Sequence, residues 1–205
     1  MSGRYAFFRW NQTFASLPGY PADHQPHWNI APGAQVLFQR EVQGQRELAK
    51  GRWGLTPAWL KDLSKSPAHA RAESLASQPM FRESFVARRC LIPANGFYEW
   101  RGSARKRPYW ITHGDPIVYF AGLWETYPTP GCDYLSVAMI TTAAASLRRP
   151  LLLDAEEQHL WLSADSEPAA LLTLLTSPRA PLRERALAHF VNDPKLDAPE
   201  CLTPA

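Results

Sequence analysis

The sequence predicts an α+β protein: a curled, mostly antiparallel β-sheet that closes toward a barrel, with short helices at its periphery. Strand-like segments follow one another directly, whereas a parallel βαβ architecture would alternate them with helices. The 19 prolines among 205 residues cut helices short and end strands. With 45% hydrophobic residues the chain can bury one sizeable core but hardly two, so we expect a single domain over residues 1–205.

Eight segments have the composition of β-strands, because they are rich in β-branched and aromatic residues and are bounded by Pro, Gly or Asp. In chain order they are Arg4–Phe8, Gln35–Arg40, Glu47–Trp53, Cys90–Ile92, Gly96–Trp100, Tyr109–Thr112, Ile117–Leu123 and Tyr134–Thr141. Two polar segments, residues 61–68 and 101–108, are expected to be loops within the domain.

Three short helices are predicted, at Pro79–Ala87, Ala155–Leu162 and Glu167–Leu175. The third follows Ser166, a residue type that favours the N-cap, and its four leucines between positions 171 and 175 form one apolar stripe. No internal repeat or low-complexity linker separates these elements.

Charge and cysteine usage set broad limits on partner and compartment. The net charge of +3 and pI of about 8.8 are compatible with a polyanionic partner but do not require one. Cys90, Cys132 and Cys201 are odd in number and far apart, which argues against a disulfide framework and favours a reducing cytosol. We expect a cytoplasmic monomer.

Neither a leader nor a membrane span is expected. Arg4 and Arg9 interrupt the apolar region that a secretory signal requires. No stretch reaches the roughly 18 apolar residues of a membrane-spanning helix. We therefore expect a soluble protein that does not engage a membrane.

Common catalytic motifs are missing from the sequence, including phosphate-binding loops, the dinucleotide fingerprint, the zinc-protease helix and the hydrolase nucleophile elbow. The six histidines show no metal-ligand spacing, so no metal or other cofactor is expected. His24 and His27 are expected to lie in a proline-rich loop and are predicted to be solvated rather than ligating.

A less common set of ordered segments carries the functional signal. They are Ser2-Gly3-Arg4, Trp28-Asn29-Ile30-Ala31-Pro32, the Arg52–Trp59 segment, His69-Ala70-Arg71-Ala72-Glu73, the Arg88–Trp100 segment, Ala121-Gly122-Leu123-Trp124-Glu125 and Thr141-Thr142. Together they resemble the SOS-response-associated peptidase (SRAP) family. Its members typically begin Met-Cys-Gly-Arg and carry Ala-Arg-Ala-Glu and Arg-Cys-Leu-Ile-Pro-Ala-x-Gly-Phe-Tyr-Glu-Trp in this order. The matches run from residue 2 to about residue 153, with a weaker echo near the C-terminus.

The resemblance implies an SRAP-like fold and a chemistry directed at abasic sites in single-stranded DNA. In that family the initiator Met is removed, and the exposed Cys condenses with the ring-opened sugar aldehyde through its α-amine. The thiol then closes the Schiff base to a stable thiazolidine, a protein–DNA cross-link. An α-amine suits this role because its pKa of about 7.7–8.0 leaves an appreciable neutral fraction at pH 7. The position of Glu99 implies an acid/base role in proton transfer.

Three departures from the family pattern fall at expected active-site positions. Ser2 replaces the cysteine, and a hydroxyl is a much poorer ring-closing nucleophile than a thiol. No histidine precedes Arg148-Arg149-Pro150, where the family has a histidine before Arg-Met-Pro. His69 stands where the family has Asn; it either replaces the missing imidazole in space or is an ordinary surface or core-edge histidine. We therefore expect a transient Schiff base, with β-elimination of the 3′ phosphate as a competing lyase reaction.

The candidate catalytic residues are thus Ser2, Glu99 and His69. The candidate DNA-binding residues are Arg4, Asn29, Pro32, Trp53, Arg71 and Trp100. Further phosphate contacts are expected from Arg52, Arg88, Arg89 and Arg101, and further stacking from Trp59.

Structural interpretations compete with these functional ones. Strand alternation places Glu99 on the face opposite Tyr98 and Trp100, where it is either an exposed carboxylate, one paired with an arginine such as Arg71, or a catalytic acid whose pKa burial raises. Arg71 either forms a surface ion pair with Glu73 or holds a phosphate.

The aromatic and loop residues also have both a structural and a functional interpretation. Trp53, Trp110, Trp124 and Trp161 would by default be core residues. Asn29 and Pro32 either shape the loop beneath residue 2 or form a purely structural turn.

Two other functions fit the same sequence. The chain could be a catalytically silent module that only binds single-stranded DNA. It could also be a peptidase, as the family name says, restricted to removing its own Met1.

Overall fold

The structure, a computed structural model, describes residues 3–102, 106–144 and 147–205. The strands in these ranges are β1 (Arg4–Phe7), β2 (His27–Ile30), β3 (Gln35–Val42), β4 (Gln45–Trp53), β5 (His69–Arg71), β6 (Arg89–Ala94), β7 (Gly96–Arg101), β8 (Arg107–Thr112), β9 (Val118–Thr129), β10 (Cys132–Ala144), β11 (Leu147–Pro150), β12 (Leu152–Leu153) and β13 (Arg183–Ala186). The α-helices are α1 (Gln12–Ala15), α2 (Arg82–Ala87), α3 (Ala155–Leu162) and α4 (Pro168–Thr176). Short 3-10 helices span Leu63–Lys65, Ala72–Ser74, His189–Asn192 and Pro199–Leu202.

Five strands close into a barrel. They follow one another around the ring as β10, β4, β3, β6 and β9, and β9 pairs again with β10. All these pairings are antiparallel except β10 with β4, which is parallel. Strands β5, β11 and β12 extend the ring at its edges. The predicted fold, a curled and mostly antiparallel sheet with short helices outside it, is confirmed.

A second sheet lies beside the barrel in the strand order β13, β8, β7, β1 and β2, and all its pairings are antiparallel. Tyr5 and Phe97 of this sheet pack with Phe120 of the barrel in one hydrophobic core. The strands that begin the chain and that carry the Tyr98-Glu99-Trp100 segment are therefore fixed to each other and to the barrel.

Alternation along β6 separates this core from a second one. Cys90 and Ile92 face the core shared by the two sheets, whereas Leu91 faces the helices. There it packs in the same cluster as Trp161 of α3, whose indole donates to the Cys90 carbonyl at 3.0 Å. Because α3 and α4 cover this outer face, the helices are peripheral, as the sequence predicts.

Five strands were not predicted from the sequence: β2, β5, β11, β12 and β13. They are two to four residues long, too short for a period-two pattern to stand out. Strand β13 reads Arg-Glu-Arg-Ala, a polar edge strand without the β-branched residues on which the prediction relied.

Two local predictions need correction. The cap of α4 is Glu167, followed by Pro168 in the first turn, where proline's fixed φ suits a helix start; Ser166 instead donates to the Leu160 carbonyl. His27 lies in β2 rather than a loop, and its Nδ1 contacts Asp197 Oδ2 at 2.7 Å.

Among the helices of the described ranges, none has the length and apolar character that a membrane crossing requires.

Gly96 offers a direct test of how tightly β7 is held. A Cβ at this position would lie 2.5 Å from both the Ile111 carbonyl oxygen and the Trp110 ring. We expect Gly96→Ala to lower the free energy of unfolding by about 1–3 kcal/mol, because backbone and ring must both shift. Gly3→Ala is the matched control, since its Cβ would meet nothing within 4 Å, and urea unfolding measures both. Equal stability of the two variants would contradict this packing.

Candidate active site

Strand β7 buries the carboxylate of Glu99. Glu99 exposes 2% of its side-chain surface, although the two residues that follow it and end the strand, Trp100 and Arg101, are half-buried. An isolated buried carboxylate is very costly, so its partners decide its state.

Two arginines supply those partners. Arg149 of β11 donates from Nε to Glu99 Oε1 at 2.6 Å and from Nη2 to Oε2 at 3.1 Å. Arg101, two residues beyond Glu99 on β7, donates from Nε to Oε2 at 3.0 Å and also from Nη2. The predicted pairing with Arg71 is not the one that forms, and the exposed alternative for Glu99 is wrong.

Glu184 of β13 completes a network of four charges. Its carboxylate accepts from Arg101 Nη1 at 2.7 Å and Nη2 at 2.8 Å, and from Arg149 Nη2 at 2.8 Å. Two carboxylates and two guanidinium groups thus balance in charge. Unlike Glu99, Glu184 exposes 36% of its side chain.

The network sets the protonation state of both acids. Burial raises the pKa of the Glu99 carboxyl, but hydrogen bonds from Arg149 and Arg101 outweigh it, and the net pKa lies below the ordinary value of 4.5. The pKa of Glu184 falls to about 2, chiefly through its hydrogen bonds from Arg101. The expectation that burial gives Glu99 a raised pKa is therefore wrong, and Glu99 is ionised at neutral pH.

A cavity of about 420 Å³ opens beside this network. Its described lining consists of Trp100, Arg101, Gly102, Lys106, Ala144, Leu147, Arg149 and Glu184. Three cations against one carboxylate make the lining positive. A second cavity of about 710 Å³ shares Ala144 and Arg149 with the first, so the open space continues along the end of β10.

The start of the chain runs toward this carboxylate. Strand β1 pairs antiparallel with β7, with Arg4 opposite Tyr98 and Tyr5 opposite Phe97. Going back along β1 therefore means going forward along β7, and Gly3 lies beyond the Arg4–Tyr98 pair on the side of Glu99. Met1 and Ser2, the predicted amine donor among them, lie outside the described residues.

His69 is linked to the same region through aromatic rings. Its imidazole meets the Trp53 ring edge-on at 5.3 Å between centroids, and Trp53 meets Tyr5 at the same distance. It is half-buried at the start of β5, opposite Met139 of β10. His69 is thus a core-edge residue packed on Trp53, and its predicted catalytic role stays a prediction.

With this geometry in place, comparison with known proteins identifies the family. The family model described as "SOS response associated peptidase (SRAP)" matches residues 1–194. The chain belongs to the SRAP family. Among its relatives is the abasic site processing protein YoqW of Bacillus subtilis, 34% identical over 194 residues, with 88% of this chain and 87% of YoqW aligned.

Other SRAP relatives support the assignment. The abasic site processing protein YoaM of Bacillus subtilis is 33% identical over 194 residues, covering 88% of this chain and 86% of YoaM. A crystal structure of a protein from Bacteroides thetaiotaomicron superposes with a TM-score of 0.79 at 24% identity, covering 91% of this chain and 88% of the other. That likeness establishes the fold as SRAP-like.

The departures from the SRAP pattern acquire a structural setting. Leu147, directly before Arg148, lines the cavity where the family's histidine is missing. Arg149 occupies the position where the pattern has methionine. From β11, this arginine forms an ion pair with Glu99. The residue in place of the imidazole and the added guanidinium therefore line the same cavity.

Arg4, Asn29 and Trp100 lie together at the same end of the β1–β7 pair as Glu99, and strand alternation places Trp100 on the face opposite Glu99. Arg4 donates to the Val191 carbonyl at 2.5 Å and to Asn29 Oδ1 at 3.2 Å, and its guanidinium lies 4.6 Å from the Trp100 ring centre. Asn29 in turn donates to the carbonyls of residues 193 and 196. These contacts tie the C-terminal segment to β1, and they leave at most one face of Trp100 for a nucleobase.

The remaining predicted DNA contacts divide by exposure. Trp53 is 1% exposed and donates to the Ala68 carbonyl, so it is a core residue that cannot stack on a base. Pro32, Trp59 and Arg71 are exposed, and Arg71 lies opposite Thr141, next to the Thr142–Arg149 pair. Its expected ion pair with Glu73 is replaced by one between Glu73 and Arg148.

Two arginines that were expected to contact DNA phosphates bind other groups in the structure. Arg89 is 7% exposed and donates to four backbone carbonyls, those of Phe85, Val86, Trp161 and Ser163. Arg88 forms an ion pair with the buried carboxylate of Glu125 at 2.7 Å. Both arginines hold α2 and α3 against the barrel and are corrected to structural residues.

The acid stability of Arg149→Met tests the four-charge network. Because the folded pKa of Glu99 is lowered, its stabilising contribution is complete above pH 4.5 and is lost as the pH falls through the folded value. We expect the substitution to cost about 2–4 kcal/mol at pH 7, slightly less than for a buried charge left with no partner, because Arg101 still pairs with Glu99, and clearly less at pH 3.

Lys50→Met is the control, since the Lys50–Asp23 pair is solvent-exposed and its loss should cost about 1 kcal/mol or less. Urea unfolding at both pH values measures the difference. A cost for Arg149→Met that is the same at pH 7 and pH 3 would contradict the network.

Proposed function

We propose that this protein processes abasic sites in single-stranded DNA as part of a DNA damage response, with the α-amine of Ser2 as the nucleophile. Relatives that bear the name abasic site processing protein support the role. The observation that carries the proposal is the β1–β7 register, because it directs the chain start toward the buried carboxylate of Glu99 beside a positive cavity.

The reaction we propose begins once Met1 has been removed. The neutral amine adds to the C1′ aldehyde of the ring-opened deoxyribose to give a carbinolamine, which loses one water to form an imine. The Ser2 hydroxyl closes the imine to an oxazolidine that reopens readily. The imine therefore either hydrolyses back or loses a C2′ proton, which expels the 3′ phosphate by β-elimination.

In this scheme Glu99 acts as a base. It is ionised at neutral pH because Arg149 and Arg101 donate to it, so it can accept the proton that the attacking amine releases. Because the same arginines keep its pKa low, Glu99 carries almost no proton to donate at neutral pH, and water must then supply the proton for the departing hydroxyl. Slow dehydration follows from this arrangement, in keeping with an adduct that does not accumulate.

Borohydride trapping on a single-stranded oligonucleotide with one abasic site tests the chemistry. We expect an adduct only when borohydride reduces the imine to a secondary amine. Glu99→Gln should lower the trapping rate by about 10²-fold without weakening the binding of intact single-stranded DNA. Glu47→Gln, a control that removes a carboxylate from the ion pair with Arg40, should trap like the parent protein.

A heat-stable adduct of the parent protein without borohydride would refute the transient imine. So would a Glu99→Gln variant that traps as fast as its control.

Ser2→Cys provides a complementary gain of function. A thiol in place of the hydroxyl can close the imine to a thiazolidine, so we expect a cross-link that survives heating without reductant. Ser2→Ala, which keeps the amine and has no closing group, should form only the borohydride-dependent adduct. If Ser2→Cys forms no durable adduct, the amine does not reach the sugar aldehyde.

The alternative is a silent single-stranded DNA-binding module, which the loss of the family cysteine and histidine favours. Such a protein binds the oligonucleotide but yields no borohydride-trapped adduct, either before or after replacement of Glu99. A peptidase limited to its own Met1 is the third possibility. Mass spectrometry of Glu99→Gln then finds Met1 retained, whereas identical processing of both proteins assigns the removal to a cellular aminopeptidase.

A further inference from the structure

We propose that Arg101 and Arg149 form a binding site for a DNA backbone phosphate, which the carboxylate of Glu184 occupies when DNA is absent. The inference deepens the proposed function, since it names how a single strand would be held beside Glu99. It concerns binding alone and holds whether or not the amine reacts.

The geometry of the two guanidinium groups is the first support. They make four hydrogen bonds to Glu99 and three to Glu184, with donor–acceptor distances of 2.7–2.8 Å to Glu184. A guanidinium fork that binds a carboxylate in this way matches two oxygens of a phosphate equally well. The Glu184 side of the pair is therefore a ready-made oxyanion site.

Exposure decides which carboxylate can leave. Glu99 is 2% exposed, so without its arginines it would be a buried charge that neither a cation nor water stabilises. Glu184 is 36% exposed. Glu184 also lies on β13, an edge strand that pairs only with β8 among the described strands. On release it regains hydration, so an incoming phosphate exchanges with Glu184 and leaves Glu99 in place.

The cavity provides the space and the sign of charge for this exchange. Its volume of about 420 Å³ is bordered by both arginines, by Lys106 and by Glu184 itself. With Glu184 withdrawn, the described charged groups on the lining are all cations. Trp100 lines the same cavity, so a base attached to the bound phosphate has an aromatic surface beside it.

Glu184→Gln tests the proposal on an intact single-stranded oligonucleotide, which has no abasic site, so that failure of the covalent chemistry does not affect the result. We expect the Kd to fall by about fivefold at constant salt, because the phosphate no longer has to displace the partly exposed Glu184 carboxylate from the two guanidinium groups. Glu47→Gln makes the same charge change and releases Arg40 outside the cavity, so it should leave the Kd nearly unchanged.

A double variant assigns the gain to the site. Glu184→Gln with Arg149→Gln should bind the oligonucleotide no more tightly than the parent protein. If Glu184→Gln and Glu47→Gln have the same affinity, Glu184 does not occupy a phosphate site and the proposal is overturned.

Circular dichroism establishes that each variant is folded. Should Glu184→Gln unfold, Lys106→Gln in the parent protein provides the second measurement. The proposal requires Lys106→Gln to flatten the dependence of log Kd on log salt, and an unchanged slope contradicts it.

Discussion

Glu99 is both buried and charged, and a carboxylate can be both only where cations replace its lost hydration. Arg149 and Arg101 provide that replacement from two different strands. The path of β11 and the end of β7 are therefore coupled through one acid. Glu184 of β13, which lies 83 residues beyond Arg101 in the chain, binds the same guanidinium groups. Strand β13 is therefore held beside β7 and β11.

This constraint also sets the chemical character of the site. A carboxyl group held in its ionised form is a proton acceptor and an electrostatic anchor, and it is poorly suited to donate protons at neutral pH. The family pattern has a histidine and a methionine where this chain has neither, and the arginine at position 149 reinforces the ionised state. Under the proposed mechanism, these changes together with Ser2 favour a reversible imine over a durable cross-link.

The sequence predicted the framework better than the site's electrostatics. The long strands around Gly96–Trp100 and Tyr134–Thr141 were predictable because aromatic and β-branched residues repeat along them, and family motifs directed attention to Glu99. Arg149 was visible only as a departure from a motif. Its contact with Glu99 depends on the pairing of β11 with β10, which strand composition does not encode.

Glu184 had no sequence signal at all, since its strand is short, polar and at a sheet edge. Trp53 and Arg89 show that a sequence motif can also suggest a DNA contact that the fold does not allow. Both belong to motif segments, yet tertiary packing buries them and assigns their polar atoms to backbone carbonyls. A motif position thus indicates a shared fold more reliably than it indicates a contact with DNA.

Peptide mapping of the borohydride-reduced adduct tests the central claim most directly. After digestion of the trapped complex and removal of the DNA, mass spectrometry locates the added sugar fragment. We predict that it lies on the α-amine of the N-terminal peptide that begins with Ser2. An adduct on a lysine such as Lys106, or an N-terminal peptide of unchanged mass, would contradict the account.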